Sequence, residues 1–380
     1  MLNKIKKLRK DLHQNPELSG KEINTAKRIK AFINAHNPTE IIENIGGNGL
    51  AAIYNFSDNG PVVMIRCELD ALPISETNTF DHRSAFENIS HKCGHDGHMA
   101  IVAGLIFWIK KQHFKKGKII LLFQPAEETG KGAKAVLDDL KFEKLKPDYV
   151  FALHNIPGEK LHSIILPTTH FSATVCSFSA TLTGKRAHAS EPENGINPTL
   201  ALAKIINRLN KLVVAKTSSN HFALLTPIHI LMGEKSYGIS PGFGEIHYTI
   251  RTWNDAEMEI LQKKIVSIIS DVCSEYKLEF SIDWFDYFPA SVNDEFCRNI
   301  VMEASKTNKL EIVKRDEAFK FGEDFGWFSK NHKAAMFGLG SGENCPALHH
   351  ADYDFPEGII ETGMQMFQSI ISQLLSTQNS

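Results

Sequence analysis

Four short, nearly continuous apolar runs constrain the fold of this 380-residue chain more than any other feature. They are Val62 to Ile65, Ile119 to Phe123, Tyr149 to Leu153 and Ala334 to Leu339. Each run is bounded by Pro or Gly, as is typical of sheet strands that helices cover on both faces. Helix candidates between them include Gly97 to Gln112 and Gly130 to Leu140. We therefore expect an α/β fold with a mixed, mostly parallel sheet flanked by helices.

Length and charge limit the class of partner. At roughly 150 residues per domain, the chain should contain two or more domains. Lys and Arg together number 42 and Asp and Glu 44, so no basic excess indicates a nucleic-acid partner. We expect a small-molecule partner and no nucleic acid.

Neither export nor membrane insertion is predicted. The first residues, MLNKIKKLRKDLHQNPELS, carry charges among apolar positions, which is typical of an amphipathic helix and not of a secretory signal. No apolar run is long enough to span a membrane. The six cysteines are scattered without the dense spacing of a disulfide framework. We expect free thiols and a cytoplasmic location.

Metal-binding side chains follow the predicted strands at their carboxyl ends, where ligands collect in open α/β sheets. They are Glu68 and Asp70, Glu127 and Glu128, and His154, together with the segment HKCGHDGH at residues 91–98 and the pair His349 and His350. Each alone is more often a surface residue, or a turn whose glycines supply positive φ. Their convergence on one edge of the sheet favours a metal site.

The adjacent pair Glu127 and Glu128 suits metal-assisted hydrolysis. Adjacent side chains at a strand end point in different directions, so one can bind metal while the other moves a proton. Such a carboxylate accepts the proton of the attacking water and passes it to the leaving nitrogen. We assign Glu127 as the base and Glu128 as the ligand, although spacing alone leaves the two roles interchangeable.

Eight stretches spread over nearly the whole chain carry a resemblance to a known family. They are LRKDLHQNPELS, ELDALP, HKCGHDGHMA, FQPAEETGKGAKAVL, ALHNIP, GKRAHASEPENGINP, FGEDFGWF and LHHADYDF. In this order they resemble the aminoacylase-like metallopeptidases with two adjacent metals. The similarity is greatest to the amidohydrolase branch with hippurate hydrolases, plant auxin-conjugate hydrolases and N-acetyldiaminopimelate deacetylases.

The resemblance implies a set of ligands for two divalent metal ions. These ligands are Cys93, His95, Glu128, His154 and His349. It also implies that Glu127 is the general acid/base and that Asp70 orients the ligands. His91 and His98 gain no ligand role. Zinc or manganese is the expected metal, with cobalt and nickel as alternatives.

From about Phe171 to Phe285 the pattern changes to half-exposed strands, with helix-length stretches at Pro198 to Val214 and Asp255 to Tyr276. We predict a discontinuous catalytic domain of residues 1–170 and 286–380, and an inserted α+β domain of residues 171–285. The resemblance implies that the insert is a lid or dimerisation domain. The protein is then a monomer, or a homodimer or homotetramer formed through the insert.

Two residues of the insert gain roles from the resemblance. His188 would hydrogen-bond the substrate carbonyl oxygen, from its own or a partner chain, and Arg251 would hold the substrate carboxylate. The alternatives are a surface histidine and a structural salt bridge. Glu68 stands where the branch usually has Asp, and Gly238 where relatives commonly have Asn. We therefore expect the substrate contacts to differ from those of relatives.

The predicted function is metal-dependent hydrolysis of the amide bond of N-acyl amino acids or related small amide conjugates. Water would be activated by two metals and Glu127. A dipeptidase or aminopeptidase of the same family differs only in requiring a free α-amino group, so this alternative stays open. A non-catalytic metal-binding homologue is a further alternative, which the intact Glu127 disfavours.

Overall fold

The structure is a computed structural model that describes residues 1–376. Within this range the ten α-helices are α1 (Leu2–Gln14), α2 (Ile23–Asn34), α3 (His95–Gly104), α4 (Ile106–Ile109), α5 (Gly132–Asp138), α6 (Thr199–Asn210), α7 (Asp255–Tyr276), α8 (Glu295–Thr307), α9 (Gly326–Asn331) and α10 (Ile359–Ser376). The sixteen strands of the same range are β1 (Glu40–Ile45), β2 (Gly49–Asn55), β3 (Val62–Glu68), β4 (Lys118–Gln124), β5 (Tyr149–Ile156), β6 (Ile164–Pro167), β7 (His170–Ser172), β8 (Thr174–Thr183), β9 (Ala187–His188), β10 (Ala223–Met232), β11 (Ile239–Ser240), β12 (Phe243–Thr252), β13 (Glu279–Phe288), β14 (Ser291–Val292), β15 (Ile312–Arg315) and β16 (Lys333–Gly340).

The chain forms two compact units. Unit 1 comprises Met1–Phe171, Ser291–Ala318 and the chain from Glu323 on, and unit 2 comprises Ser172–Ala290 and Phe319–Gly322. The boundary expected at residue 285 falls inside β13, which continues to Phe288. The short segment Phe319–Gly322 belongs to unit 2 because the Phe319 carbonyl accepts a hydrogen bond from the Ala173 N–H at 2.9 Å.

Unit 1 contains an eight-stranded sheet of order β1-β2-β4-β3-β5-β16-β6-β15. The four predicted runs lie in β3, β4, β5 and β16, which are neighbours and run parallel. β2 pairs antiparallel with β1 and β4, and β6 pairs antiparallel with β16 and parallel with β15. The predicted mixed, mostly parallel α/β fold is confirmed.

Both faces of this sheet are buried, which explains the unbroken apolar runs. Alternate residues such as Ile65, Leu121 and Phe337 join one core cluster with side chains of α1, α2, α3, α8 and α10. Residues of the opposite parity, such as Ile120 and Met336, are also buried. The helix expected from Gly97 to Gln112 begins earlier, at His95, and is divided into α3 and α4.

Unit 2 contains a four-stranded antiparallel sheet of order β10-β12-β8-β13. Phe178, Ala180 and Leu182 of β8 face a core formed with α6 and α7. Val175 has the opposite parity and lies on the other face, because side chains alternate along an uninterrupted strand. Among residues 1–376, no helix has both the length and the apolar character needed to cross a bilayer.

Candidate metal centre

The segment of residues 91–98 opens α3 through a left-handed residue. Gly94 has φ 93°, and a Cβ at this position would lie 2.6 Å from the Asn155 side-chain oxygen. A glycine is therefore required both by the backbone conformation and by the close approach of the neighbouring strand end. This turn buries Cys93 and His95 beside the end of β5.

Two overlapping groups of metal-binding side chains lie at the carboxyl ends of the parallel strands of the unit 1 sheet. Cys93, His95 and His154 form one group, and Cys93, Glu128 and His349 form the other. Within each group, one donor atom per residue lies within 4.8 Å of the others. Together the groups contain the five residues that were predicted as ligands; we call them the donor cluster.

The hydrogen bonds of the two buried histidines direct one nitrogen of each ring into the cluster. His95 Nδ1 lies 2.8 Å from the backbone oxygen of Asp70, and His154 Nδ1 lies 2.9 Å from that of Asn155. Both Nδ1 atoms therefore donate outwards, so that in the neutral rings each Nε2 presents its lone pair to the cluster. His154 Nε2 is 3.5 Å from the Cys93 sulfur.

Glu127 and Glu128 face the same histidine. His95 Nε2 is 3.8 Å from a carboxylate oxygen of each. Both glutamates lie in the turn after β4, and the Glu128 N–H donates to Asp70 at 3.0 Å. Asp70 also accepts from Ser19 at 2.7 Å. The aspartate thus fixes both the histidine and the backbone of the glutamate pair.

The donor cluster fits divalent cations. His95 Nε2 and Glu128 Oε1 are buried and have no hydrogen-bond partner among residues 1–376. A buried polar atom without a partner is costly, and a coordinated ion would remove this cost for both atoms. Thiolate, imidazole and carboxylate donors are the set that binds zinc and other divalent transition metals.

The electrostatics of the glutamate pair indicate missing positive charge. Burial, together with the negative charges of Glu323 and Glu128, raises the pKa of Glu127 well above its usual range. Burial also raises the pKa of Glu128 to about 7, although His95 opposes the shift. Within residues 1–376, neither glutamate has an ion-pair partner among lysines and arginines. A dication would relieve this repulsion.

His349 differs from the other members of the donor cluster. Its side chain is 51% exposed, and its Nε2 lies 3.7 Å from a Glu128 oxygen. It sits in the loop after β16 with φ 65°, a left-handed conformation that is uncommon for a residue with a side chain. Its backbone N–H donates to the Lys92 carbonyl at 2.8 Å.

The structure places His188 and Arg251 in unit 2. His188 is exposed at the end of β9, and its Nδ1 lies 2.6 Å from the Ser190 hydroxyl. Arg251 lies in β12 and donates to the Lys320 carbonyl at 2.7 Å. Within residues 1–376 the guanidinium makes no ion pair, so the structural salt bridge considered as an alternative is absent there.

The model of peptidase family M20/M25/M40 matches residues 64–373. The chain belongs to this family. As an M20 family member it is a metal-dependent amidohydrolase, and the resemblance to dinuclear aminoacylase-like enzymes is confirmed.

Individual relatives of this M20 chain match it almost end to end. An N-acetyl-L-cysteine deacetylase of Bacillus subtilis is 30% identical, covering 98% of this chain and 89% of the relative. A hippurate hydrolase of Campylobacter jejuni is 28% identical, covering 98% and 96%. A solved Bacillus subtilis structure, described as a dinuclear metal-binding peptidase of the M20 family, is 25% identical with a TM-score of 0.84 and covers 99% of each chain.

Glu68 and His98 contact each other beside the donor cluster, and the sequence did not predict this contact. Glu68 accepts from His98 Nδ1 at 2.7 Å, and His98 Nε2 lies 2.5 Å from the Asn155 side-chain oxygen. Both ring nitrogens of His98 are therefore engaged, although Glu68, His95 and His98 also lie close enough to bind an ion. The spacing of His95 and His98, three residues apart on one helix, is the signal that places them on one face.

Arg66 was also missed. Its guanidinium donates to Glu68, to Glu323 at 2.9 Å and to Asp324 at 2.6 Å. Glu323 and Asp324 lie near Glu127 and could hold an ion with it. Because Arg66 already supplies a positive charge to both acids, this group has less need of an added cation than the donor cluster.

A buried ion-pair network lies beside the donor cluster in unit 1. It consists of Arg9, His13, Glu76, Lys92 and Asp96, together with Asp354, whose side chain is 31% exposed. Arg9 and His13 contact one oxygen of Asp96 at 2.7 and 2.9 Å. No local sequence pattern indicates this network, because the partners are distant in the chain.

Proposed function

We propose that the protein hydrolyses the amide bond of N-acyl amino acids or related small amide conjugates. The observation that carries the proposal is the pair of buried Glu127 and 11% exposed Glu128, each 3.8 Å from the same His95 nitrogen and beside a thiol–imidazole donor set. One carboxylate can bind an ion while the other moves a proton. The names of the relatives, an N-acetyl-L-cysteine deacetylase and a hippurate hydrolase, support this substrate class.

Each residue has a proposed role in the donor cluster. The ligands are Cys93, His95, Glu128, His154 and His349, which together offer one sulfur, three ring nitrogens and a carboxylate. Asp70 acts as a positioning residue, since it fixes the His95 ring and the Glu128 backbone. Zinc or manganese is the proposed metal, with cobalt or nickel as alternatives.

Glu127 is the proposed general base and acid. Divalent ions held by the donor cluster would polarise the amide carbonyl and lower the pKa of water. Glu127 removes the proton from the attacking water and delivers it to the departing amine. Its burial beside Glu128 and Glu323 favours the protonated form, which suits delivery of the proton to nitrogen in the second half of the reaction.

His188 and Arg251 are proposed substrate contacts. An imidazole N–H can donate to the carbonyl oxygen as negative charge develops there, and the exposed ring of His188 leaves its Nε2 side accessible. The Arg251 guanidinium uses Nη1 for a backbone carbonyl and has further N–H groups for a carboxylate.

Location and assembly are proposed on two further observations. The six cysteines are all free, which supports a reducing, cytoplasmic compartment. β10 is an edge strand of the unit 2 sheet, and Ile228, Ile230 and Leu231 on it are exposed. An exposed apolar edge strand favours pairing with another chain, so we propose a homodimer through unit 2, with a monomer or homotetramer as alternatives.

The test is amine release from a panel of N-acetyl, N-benzoyl and longer N-acyl amino acids beside matched dipeptides. Chelator-stripped protein is reloaded with zinc or with manganese. We expect turnover on acylated substrates, and we expect Glu127→Gln to lower kcat by about 10²- to 10⁴-fold, as loss of a general acid/base does, with bound metal unchanged.

The matched control is Glu143→Gln, because the Glu143 side chain is 74% exposed and pairs with the equally exposed Lys146 at 3.4 Å. This variant should keep wild-type turnover. Turnover on dipeptides alone would assign the protein to the peptidases. A metal-loaded protein that is inert on every substrate would support a non-catalytic homologue, and full activity of Glu127→Gln would remove Glu127 from the mechanism.

A further inference from the structure

Lys92 is a fully buried lysine next to a proposed ligand. Its side chain is 0% exposed, and it immediately precedes Cys93. The ammonium group donates to a Glu76 carboxylate oxygen at 2.6 Å and to the Tyr353 backbone carbonyl at 2.7 Å. Burying an ammonium is costly unless it is paired, so these two contacts hold the side chain in one place.

The same residue contacts the loop of His349 a second time. The Lys92 carbonyl accepts a hydrogen bond from the His349 N–H at 2.8 Å. Backbone and side chain of Lys92 therefore both attach this loop, four residues apart, to the segment that carries Cys93 and His95. The Tyr353 hydroxyl, in turn, accepts from the Asn155 amide at 2.6 Å, next to His154.

His349 depends on such attachment more than the other proposed ligands do. Its side chain is half exposed, whereas Cys93, His95 and His154 are buried among strand and helix ends. Its backbone also has a positive φ, which costs free energy that neighbouring contacts must offset. Without the anchor at Tyr353, the loop has freedom to move the imidazole away from Glu128.

We propose that Lys92 is a positioning residue that holds the His349 loop in place, and so sets the affinity of the ion that His349 binds. The proposal rests on the proposed function, in which His349 is a metal ligand. A purely structural lysine would stabilise the whole unit instead and would affect both ions alike.

The test is a metal-binding double-mutant cycle. Chelator-stripped wild type, Lys92→Met, His349→Ala and the double variant are titrated with zinc against a chromophoric chelator. We expect Lys92→Met to lower the affinity for one of two zinc ions by about 10- to 100-fold, as loss of an outer-shell partner of a ligand does. The double variant should bind that ion no more weakly than His349→Ala alone, because both changes act through one ligand.

Two variants control for charge and folding. Lys30→Met removes an exposed lysine whose ion pair with Glu43 has the same 2.6 Å distance, and it should leave both zinc affinities unchanged. Lys92→Arg keeps the charge and should restore part of the affinity. If Lys92→Met does not fold, Glu76→Gln, which removes the charge that pairs with Lys92, carries the same test with a smaller expected loss.

Equal weakening of the binding of both ions, additive losses in the double variant, or unchanged zinc affinity in folded Lys92→Met would overturn the inference. Unchanged zinc binding in His349→Ala would instead overturn the proposed ligand role of His349, and thus that part of the proposed function.

Discussion

The donor cluster and the buried ion-pair network lie side by side in unit 1, yet their buried acids titrate in opposite directions. In the network, burial acts to raise the pKa of Glu76, but His13, Lys92 and the Ser84 N–H lower it to about 2. In the donor cluster, burial raises the pKa of Glu128 to about 7. The protein supplies the cations of the network itself, whereas the glutamates of the donor cluster have no lysine or arginine partner among residues 1–376, as expected of the proposed metal site.

This contrast separates buried charge that serves stability from buried charge that serves a site. Arg9, His13 and Lys92 balance Asp96, Glu76 and Asp354 in the network. Perturbed and uncompensated groups concentrate at functional sites. The uncompensated charge of the glutamate pair therefore points to the donor cluster as the functional site.

The largest loss of stability is expected when the ion-pair network loses a cation. Arg9 is fully buried and pairs with Asp96 at 2.7 Å. Removing one partner leaves a buried charge uncompensated, so Arg9→Met should lower the free energy of unfolding by about 3–5 kcal/mol. Urea denaturation of the zinc-loaded protein measures this loss. The double variant Arg9→Met with Asp96→Asn should recover part of it; no recovery would mean that packing of the arginine side chain, not charge, dominates.

The second effect concerns pH in the metal-free protein. The folded-state pKa of Glu128 is raised to about 7 from the ordinary 4.5, so its contribution to stability is complete below pH 4.5 and is lost as pH rises through 7. Relative to Glu128→Gln, chelator-stripped wild type should lose roughly 3 kcal/mol of unfolding free energy over this range, at about 1.4 kcal/mol per pKa unit.

For the ion-pair network, the expected change of stability with pH has the opposite sign. The folded-state pKa of Glu76 is lowered to about 2, so its contribution is present above pH 4.5 and is lost as pH falls towards 2. Wild type should therefore lose stability relative to Glu76→Gln only on the acid side. Urea unfolding from pH 3 to pH 8 tests both signs. If the difference in unfolding free energy between wild type and Glu128→Gln does not change with pH, the contrast between the two regions is contradicted.

The sequence predicted the fold and the proposed ligands to different extents. β3, β4, β5 and β16 were predictable because a strand buried on both faces must be apolar throughout. β10 was missed because most of its residues are exposed and it contains Pro227, so it has neither an unbroken run nor a clean alternation. The ligand assignments come from the family resemblance and stay predictions.

The ion-pair network could not be predicted because nothing local indicates it. Arg9 is 87 residues from Asp96 and 345 from Asp354, and Lys92 is 261 residues from Tyr353. In the sequence these are ordinary charged residues, for which a solvated position is the usual expectation. Only the fold brings together α1, the segment between β3 and α3, the start of α3 and the loop of His349.

The smallest change in stability is expected at an exposed ion pair with the same N–O distance as a buried one. Lys30 and Glu43 are 2.6 Å apart, as are Lys92 and Glu76, but their side chains are 40% and 47% exposed. Water screens the exposed pair, so Lys30→Met should change the free energy of unfolding by less than about 1 kcal/mol. Urea denaturation beside Arg9→Met makes the comparison direct. A loss as large as that of Arg9→Met would show that distance, and not burial, governs the strength of ion pairs in unit 1. The distinction between the ion-pair network and the donor cluster would then no longer rest on burial.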